Sequence, residues 1–160
     1  MEHIFTFDPD KCTGCAICET VCSLHHTGTI SPIRSRVHVI RLEGGVFIPL
    51  GCLHCEDPVC MGVCPTAAII KEATSAVSID SDKCMGCKMC MLICPFGGIS
   101  IDTIDRKVIK CDLCGGDPRC VNFCPTGALE YAKADVYSLR KKREAVEKLP
   151  KLIRLVTGGR

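Results

Sequence analysis

Tryptophan is missing from this sequence and aromatic residues amount to 4% of its 160 positions, so aliphatic side chains must supply most of any core. No apolar run approaches the roughly 20 residues that cross a bilayer, and no integral membrane segment is expected. The opening residues, Met1-Glu-His-Ile-Phe-Thr-Phe-Asp8, carry neither the basic start nor the apolar stretch of a signal peptide. Carboxylates are scattered, without the paired setting that acid–base catalysis needs, so no catalytic residue is expected. Gly44-Gly45, Gly97-Gly98 and Gly115-Gly116 are isolated doublets that suit turns rather than a phosphate-binding loop. What remains is a small chain, long enough for one compact body or two modules sharing a core.

What the sequence does have is cysteine: sixteen residues, far above ordinary usage. Two explanations compete, a secreted disulfide scaffold or thiolates held by metal in a reducing compartment. With no export signal in view, metal and a cytoplasmic location are the expectation. The cysteines fall into four groups of four: Cys12, Cys15, Cys18, Cys22; Cys52, Cys55, Cys60, Cys64; Cys84, Cys87, Cys90, Cys94; and Cys111, Cys114, Cys120, Cys124. The first and third share the spacing C-x2-C-x2-C-x3-C, while the second and fourth widen the middle gap. Flanking residues repeat too. Asp10-Lys-Cys-Thr-Gly-Cys15 matches Asp82-Lys-Cys-Met-Gly-Cys87, and Asp57-Pro-Val-Cys60 matches Asp117-Pro-Arg-Cys120. One unit used twice is the simplest reading.

Between the groups, short elements are expected. Arg36–Ile40 and Val46–Ile48 flank Gly44-Gly45 as a hairpin, and Ile99–Ile101 with Val108-Ile109 suggests another. Thr66–Ile70 suits a helical turn and Ala76–Ile79 a strand. A basic helix follows, with Asp135 as N-cap, Val136, Leu139, Val146 and Leu149 on one face, and Pro150 as the stop.

Cys-x2-Cys-x2-Cys lets one tight loop give three thiolates to a [4Fe–4S] core, while the fourth cysteine, followed by proline, reaches a neighbouring cluster. Gly14 and Gly86 fall where that loop turns most sharply. Pro65, Pro95 and Pro125 follow the last cysteine of their groups, whereas Ser23 follows Cys22. Zinc would favour two separated Cys-x2-Cys pairs instead. Four complete quartets therefore predict four [4Fe–4S] clusters. Loaded with four oxidised clusters, the formal +2 charge would fall to about −6. The basic residues concentrate in 140–160, with eight Lys/Arg against Glu144 and Glu147. An acidic loaded body makes nucleic acid an unsuitable partner.

The stretch from Cys64-Pro65-Thr-Ala-Ala-Ile through Val77-Ser-Ile-Asp-Ser-Asp-Lys-Cys84-Met-Gly-Cys87 resembles the join between the halves of a bacterial two-cluster ferredoxin. Together with Cys52-Leu-His54-Cys55-Glu-Asp-Pro58-Val-Cys60, it makes residues 8–131 similar to the iron–sulfur subunit family of dimethyl sulfoxide reductase. Small iron–sulfur proteins serving carbon monoxide dehydrogenase and hydrogenases are related. The resemblance implies an α+β fold of duplicated bacterial-ferredoxin-like modules, with short helices and β-hairpins around four cubane clusters. The body would span 1–134, with an inner module at about 50–95 and an outer one from about 8–49 and 96–134, followed by a basic helix and tail at 135–160. It further implies four ligand sets: Cys12, Cys15, Cys18 and Cys124; Cys22, Cys111, Cys114 and Cys120; Cys52, Cys55, Cys60 and Cys94; Cys64, Cys84, Cys87 and Cys90.

The function so implied is relay of single electrons between a catalytic oxidoreductase subunit, of the tungsten or molybdenum class such as an aldehyde oxidoreductase, and a second redox partner. Alternatives are a carrier for carbon monoxide dehydrogenase or hydrogenase, or a cluster-containing maturation or scaffold protein. Self-association through cluster-bearing ends is a further expected contact. The tail could cover its own body, reach a partner, or lie on a membrane surface. His25, His26 and His54 sit near cysteines but would be redundant as ligands. They read as surface or hydrogen-bonded neighbours, with a hydrogen bond to a cluster sulfur as the sharper alternative.

Overall fold

A computed structural model describes residues 3–156, and in it each cysteine group opens as a loop and closes on a helix carrying the third cysteine. These helices are α1 (Ile17–Thr27), α2 (Val59–Gly62), α3 (Met89–Ile93) and α4 (Arg119–Asn122), bearing Cys18, Cys60, Cys90 and Cys120. Two devices start them. Before α1 and α3 the chain reverses through a left-handed residue, Ala16 at φ 57° and Lys88 at φ 64°. Before α2 and α4 a proline, Pro58 or Pro118, occupies the cap, where its missing N–H costs nothing. Helices of four or five residues cannot stand alone, so tertiary contacts hold them.

α1 has 11 residues, and the reason lies one residue past its last cysteine. Proline there would turn the chain away, whereas Ser23 lets the helix continue to a left-handed Gly28 cap at φ 69°. Ser23 is fully buried. Its hydroxyl donates to the Thr20 carbonyl at 3.0 Å and accepts from the Ser31 N–H at 3.1 Å, pinning the next segment.

The strands form four two-stranded pairs. β1 (His3–Phe7) pairs with β8 (Leu129–Lys133), β2 (Val37–Arg41) with β3 (Phe47–Gly51), β4 (Ile69–Lys71) with β5 (Val77–Ile79), and β6 (Ile99–Ile101) with β7 (Val108–Lys110). The last three are antiparallel, with Ile40 facing Ile48, Ile69 facing Ile79 and Ile101 facing Val108. Gly44 and Gly45, at φ 79° and 77°, make the first of these hairpins possible. In place of the helical turn expected at Thr66–Ile70, the β-branched Ile69 and Ile70 extend into β4. Pairing with β5 buries Ile69, and that burial outweighs a weak local preference. The architecture is a small α+β arrangement of short helices and strand pairs.

Two apolar cores organise it. One gathers Phe5, Cys18, Cys22, Val37, Ala76, Leu113, Cys120 and Leu129, so it joins the first and fourth cysteine groups. The other gathers Cys60, Ile69, Val77, Cys90, Ile99 and Val108, from the second and third. Ion pairs tie the segment after α1 to the second half of the chain. Arg34 Nε donates to Asp102 at 2.7 Å and its terminal nitrogen to Asp105, while Arg36 pairs with Asp112.

The chain divides into two compact units, Phe5–Tyr131, which contains both cores, and a unit of the flanking ends that contains α5 (Ala134–Val156). α5 differs from expectation at both ends. It starts directly after β8, so Asp135 lies in its first turn and not at the cap. It also runs through Pro150. Proline removes one helical hydrogen bond, and the neighbouring turn is exposed, with Val146 67% accessible, so water can satisfy the freed carbonyl. Among the described residues no helix is long and apolar enough to cross a membrane.

Candidate metal centres

The loops bring cysteines from different groups around shared small cavities. Cys12, Cys15 and Cys18 line one with Cys124, backed by Val39, Pro49 and Leu129. Cys52, Cys55 and Cys60 line a second with Cys94, backed by Val77, Ile99 and Lys110. Cys84, Cys87 and Cys90 line a third with Cys64, backed by Ile69, Ile79 and Val108. Each holds about 20 Å³, little more than one water-sized sphere. An organic substrate has no room there. The remaining sulfurs, Cys22, Cys111, Cys114 and Cys120, lie close enough to act on one another's ionisation.

All sixteen cysteines are free of disulfides. Burial pushes the Cys18 thiol up to about 12, helped by the Glu19 charge, and burial alone dominates at Cys111, also about 12. Cys120, Cys60, Cys90 and Cys114 are raised for the same reason. Thiols held protonated in this way are poor nucleophiles. A metal deprotonates them outright, so the donor set suits metal binding and not nucleophilic chemistry.

Backbone amides are already aimed at the sulfurs. The last cysteine of a group receives the N–H four residues on: Ala68 to Cys64 at 3.3 Å and Gly98 to Cys94 at 3.4 Å. Burial raises Cys64 and Cys124, but hydroxyls of Thr66 and Thr126 and surrounding amides outweigh it and hold both below the usual thiol value. Cys22 has no such local donor because α1 continues past it. The N–H of Arg36, from the far side of the following turn, takes that place at 3.3 Å. Cys52 accepts from His54 at 3.3 Å and Cys111 from Leu113 at 3.5 Å. Such N–H···S bonds favour the more negative state of a thiolate-bound cluster.

Glycines stand where the chain approaches its neighbours most closely. Gly14 and Gly86 both adopt φ +72° inside their loops, and a Cβ on Gly14 would strike the Phe47 ring at 2.4 Å. Gly98 lies against backbone: a Cβ there would meet Cys52 Cα at 2.7 Å and Cys52 N at 2.9 Å. The end of the third group is thereby pressed onto the start of the second.

The histidines behave differently from one another. His54 Nδ1 accepts from the Val77 N–H at 3.0 Å, so a neutral ring carries its proton on Nε2. Burial, with the Lys110 cation nearby, lowers its pKa to about 3. His26, lowered to about 4 by burial and then by Arg36, lies 3.9 Å from Cys114 Sγ and 3.5 Å from Asp112. His25 joins them, its ligand atom within 4.8 Å of those of His26 and Cys114.

Sequence reasoning misses Lys110 and Arg36. Lysine precedes the first cysteine in three groups, as Lys11-Cys12, Lys83-Cys84 and Lys110-Cys111. Lys11 and Lys83 reach surface carboxylates of Asp8 and Asp80, but Lys110 is only 4% exposed. Nothing in the dipeptide separates the three. The hydrophobic strand Val108-Ile109 before Lys110 is the available signal.

Sets of four cysteines around small apolar cavities, with amides directed at their sulfurs, define an iron–sulfur protein. Residues 44–134 match the family described as 4Fe-4S dicluster domain, and residues 4–27 match a 4Fe-4S binding domain. The protein belongs to the 4Fe-4S dicluster domain family. It is 45% identical over 80 residues to the polyferredoxin-like subunit of aliphatic sulfonate oxidoreductase from Pyrococcus furiosus, covering 49% of this chain and 46% of that one. It is 33% identical over 102 residues to one polypeptide of the anaerobic dimethyl sulfoxide reductase of Escherichia coli, covering 54% and 49%. One of the subunits of the tetrathionate reductase of Archaeoglobus fulgidus is 32% identical over 87 residues, covering 54% and 42%. The sequence thus spans less than half the length of each of these relatives. A polypeptide of the active-site complex of benzoyl coenzyme A reductase aligns at TM-score 0.48 and 26% identity over 81% of this chain and 76% of that one.

Proposed function

We propose that this protein is a non-catalytic electron-transfer subunit that relays single electrons along four [4Fe–4S] clusters. The observation that carries the reading is the lining of three small cavities by four cysteines each, three from one group and one from another. The ligand sets would be Cys12, Cys15, Cys18 and Cys124; Cys22, Cys111, Cys114 and Cys120; Cys52, Cys55, Cys60 and Cys94; and Cys64, Cys84, Cys87 and Cys90. Exchange of the fourth cysteine would make two duplicated ferredoxin-like modules, one from the second and third groups and one from the first and fourth. That division follows the two cores. α5 with its basic residues would stand as a separate tail.

The sets also read as a row. Cys18 of the first acts on Cys120 of the second, and Cys52 of the third lies close enough to Cys111 of the second to help raise the Cys111 thiol. α2 and α3, which carry the third and fourth sets, pack together. Bound clusters supply the one-electron chemistry. The chain's own residues hold them, exclude water with Val39, Ile69, Ile99 and Leu129, and direct amides at their sulfurs. The proposed partners are a catalytic oxidoreductase subunit, of the molybdenum or tungsten class to which the resemblance points, and a second redox protein. Several relatives are named as subunits of oxidoreductases, which supports that choice.

Stepwise reductive titration followed by electron paramagnetic resonance tests the relay. Four one-electron signals that return on reoxidation are expected. Clusters that are present but cannot be cycled by one electron would point to a structural or maturation role and reject the relay.

A further inference from the structure

Lys110 ends β7, and its ammonium points inward. It is 4% exposed and, among the described residues, makes no ion pair with a carboxylate. Its Nζ donates to the Val77 carbonyl and, at 3.5 Å, to the Cys111 carbonyl. An ammonium has three donors, so one is left over. Lys110 is also one of the residues lining the cavity of Cys52, Cys55, Cys60 and Cys94, and its charge acts on the Cys60 thiol. An unpaired buried cation is costly unless something anionic faces it. Glu72, Asp102, Asp105 and Asp112 share a second, wider pocket with Lys110, but none of them is within ion-pair distance. In the smaller cavity the groups that can face it are cysteine sulfurs, which become anionic only as metal thiolates. Lys11 and Lys83 occupy the same place in their own groups yet sit 40% and 60% exposed, paired with surface carboxylates. The burial of Lys110 is therefore peculiar to one point in the row.

We propose that Lys110 is the buried counter-charge of the cluster held by Cys52, Cys55, Cys60 and Cys94, and makes that cluster the first of the four to accept an electron. The proposal rests on the ligand sets given above. A fixed positive charge stabilises the more negative, one-electron-reduced state. No bond is made or broken and no proton moves. Because Lys110 directly precedes Cys111, it stands between the second and third sets, so the favoured site falls in the middle of the row. An electron entering from either end would come to rest there before leaving.

The test compares Lys110→Met, which keeps the stem and removes the charge, with Lys110→Arg, which keeps the charge. Both are titrated reductively with paramagnetic resonance detection, and Cys55→Ser marks which signal belongs to this cluster. Expected is a fall in its potential of at least a tenfold change in reduced-to-oxidised ratio, 59 mV for one electron, in Lys110→Met. In Lys110→Arg the order of reduction stays as in the wild type. Full iron in Lys110→Met with an unchanged potential for that cluster overturns the role of Lys110. A wild-type protein that lacks the clusters overturns the ligand sets themselves, which is a separate failure. If Lys110→Met cannot hold iron, wild-type protein carrying lysine labelled with nitrogen-15 at Nζ decides. A nitrogen-15 coupling to the first-reduced cluster in pulsed resonance supports the proposal, and its absence there refutes it.

Discussion

The two cores of the body hold similar cysteine loops by different means. Around Ile69, Val77, Ile99 and Val108 the loops come from one continuous stretch, and three-residue strands with nearby amides suffice. Around Phe5, Val37, Leu113 and Leu129 they come from opposite ends of the body. There the protein adds a longer helix, a buried serine, an amide borrowed from Arg36 and the Arg36–Asp112 pair. Distance along the sequence must be offset by specific contacts, because closing a long loop costs entropy that short-range contacts avoid.

The sharpest way to break this comparison is to remove cysteines on either side of the long-range core. Cys22→Ser and Cys111→Ser should each perturb one and the same cluster, while Cys12→Ser perturbs another, each variant losing up to about four iron per chain. Resonance spectra of the three variants decide it. If Cys22→Ser alters the cluster of Cys12, Cys15 and Cys18, exchange across that core is wrong.

Gly98→Ala probes the local core. Ala68 and Ala128 hold the equivalent position after Cys64-Pro65 and Cys124-Pro125, so alanine is not foreign to this turn. At Gly98 it meets the Cys52 backbone at 2.7 Å, and backbone cannot swing away as a side chain would. A cost of about 1–3 kcal/mol is expected, seen as faster bleaching of the cluster of Cys52, Cys55, Cys60 and Cys94 in denaturant. Equal bleaching of all clusters would remove the distinction.

An effect no larger, and confined to one pH limb, is expected where the two regions are tied together. Asp102 is 4% exposed and accepts from Arg34, from Ile104 N–H at 2.9 Å and from Asp105 N–H at 3.2 Å. Burial alone would raise its pKa, but the Arg34 guanidinium and these amides hold it below the usual carboxylate value. A carboxyl depressed on folding contributes stability above its unfolded value near 3.8, and that contribution is lost as pH falls through the lower folded value. Asp102→Asn should therefore lower stability at neutral pH by roughly 1–3 kcal/mol, seen as a lower unfolding midpoint, and flatten the acid limb below about pH 4. Thermal melts from pH 3 to 7 check this, and an unchanged acid limb would assign the acid loss to other carboxylates.

The quartets, the β2–β3 and β6–β7 hairpins and the glycine turns are all legible in the sequence, since each depends on residues a few positions apart. Ile69-Ile70 reads as a helical turn because its strand partner lies across a turn that local preference does not reveal. Pro150 reads as a stop, although an exposed helix tolerates one missing hydrogen bond. Lys110 and Arg36 are invisible for a different reason. A lysine before cysteine occurs three times, and only the packing of β7 distinguishes the buried one. The amide of Arg36 serves Cys22 only because Ser23, which does stand out, lets α1 run on.

Metal and sulfide analysis of anaerobically prepared protein tests the central claim most directly. Four complete cysteine sets predict about sixteen iron and sixteen sulfide per chain, with no stoichiometric zinc. Zinc bound in place of iron, or half the expected iron in a fully reconstituted sample, would contradict it.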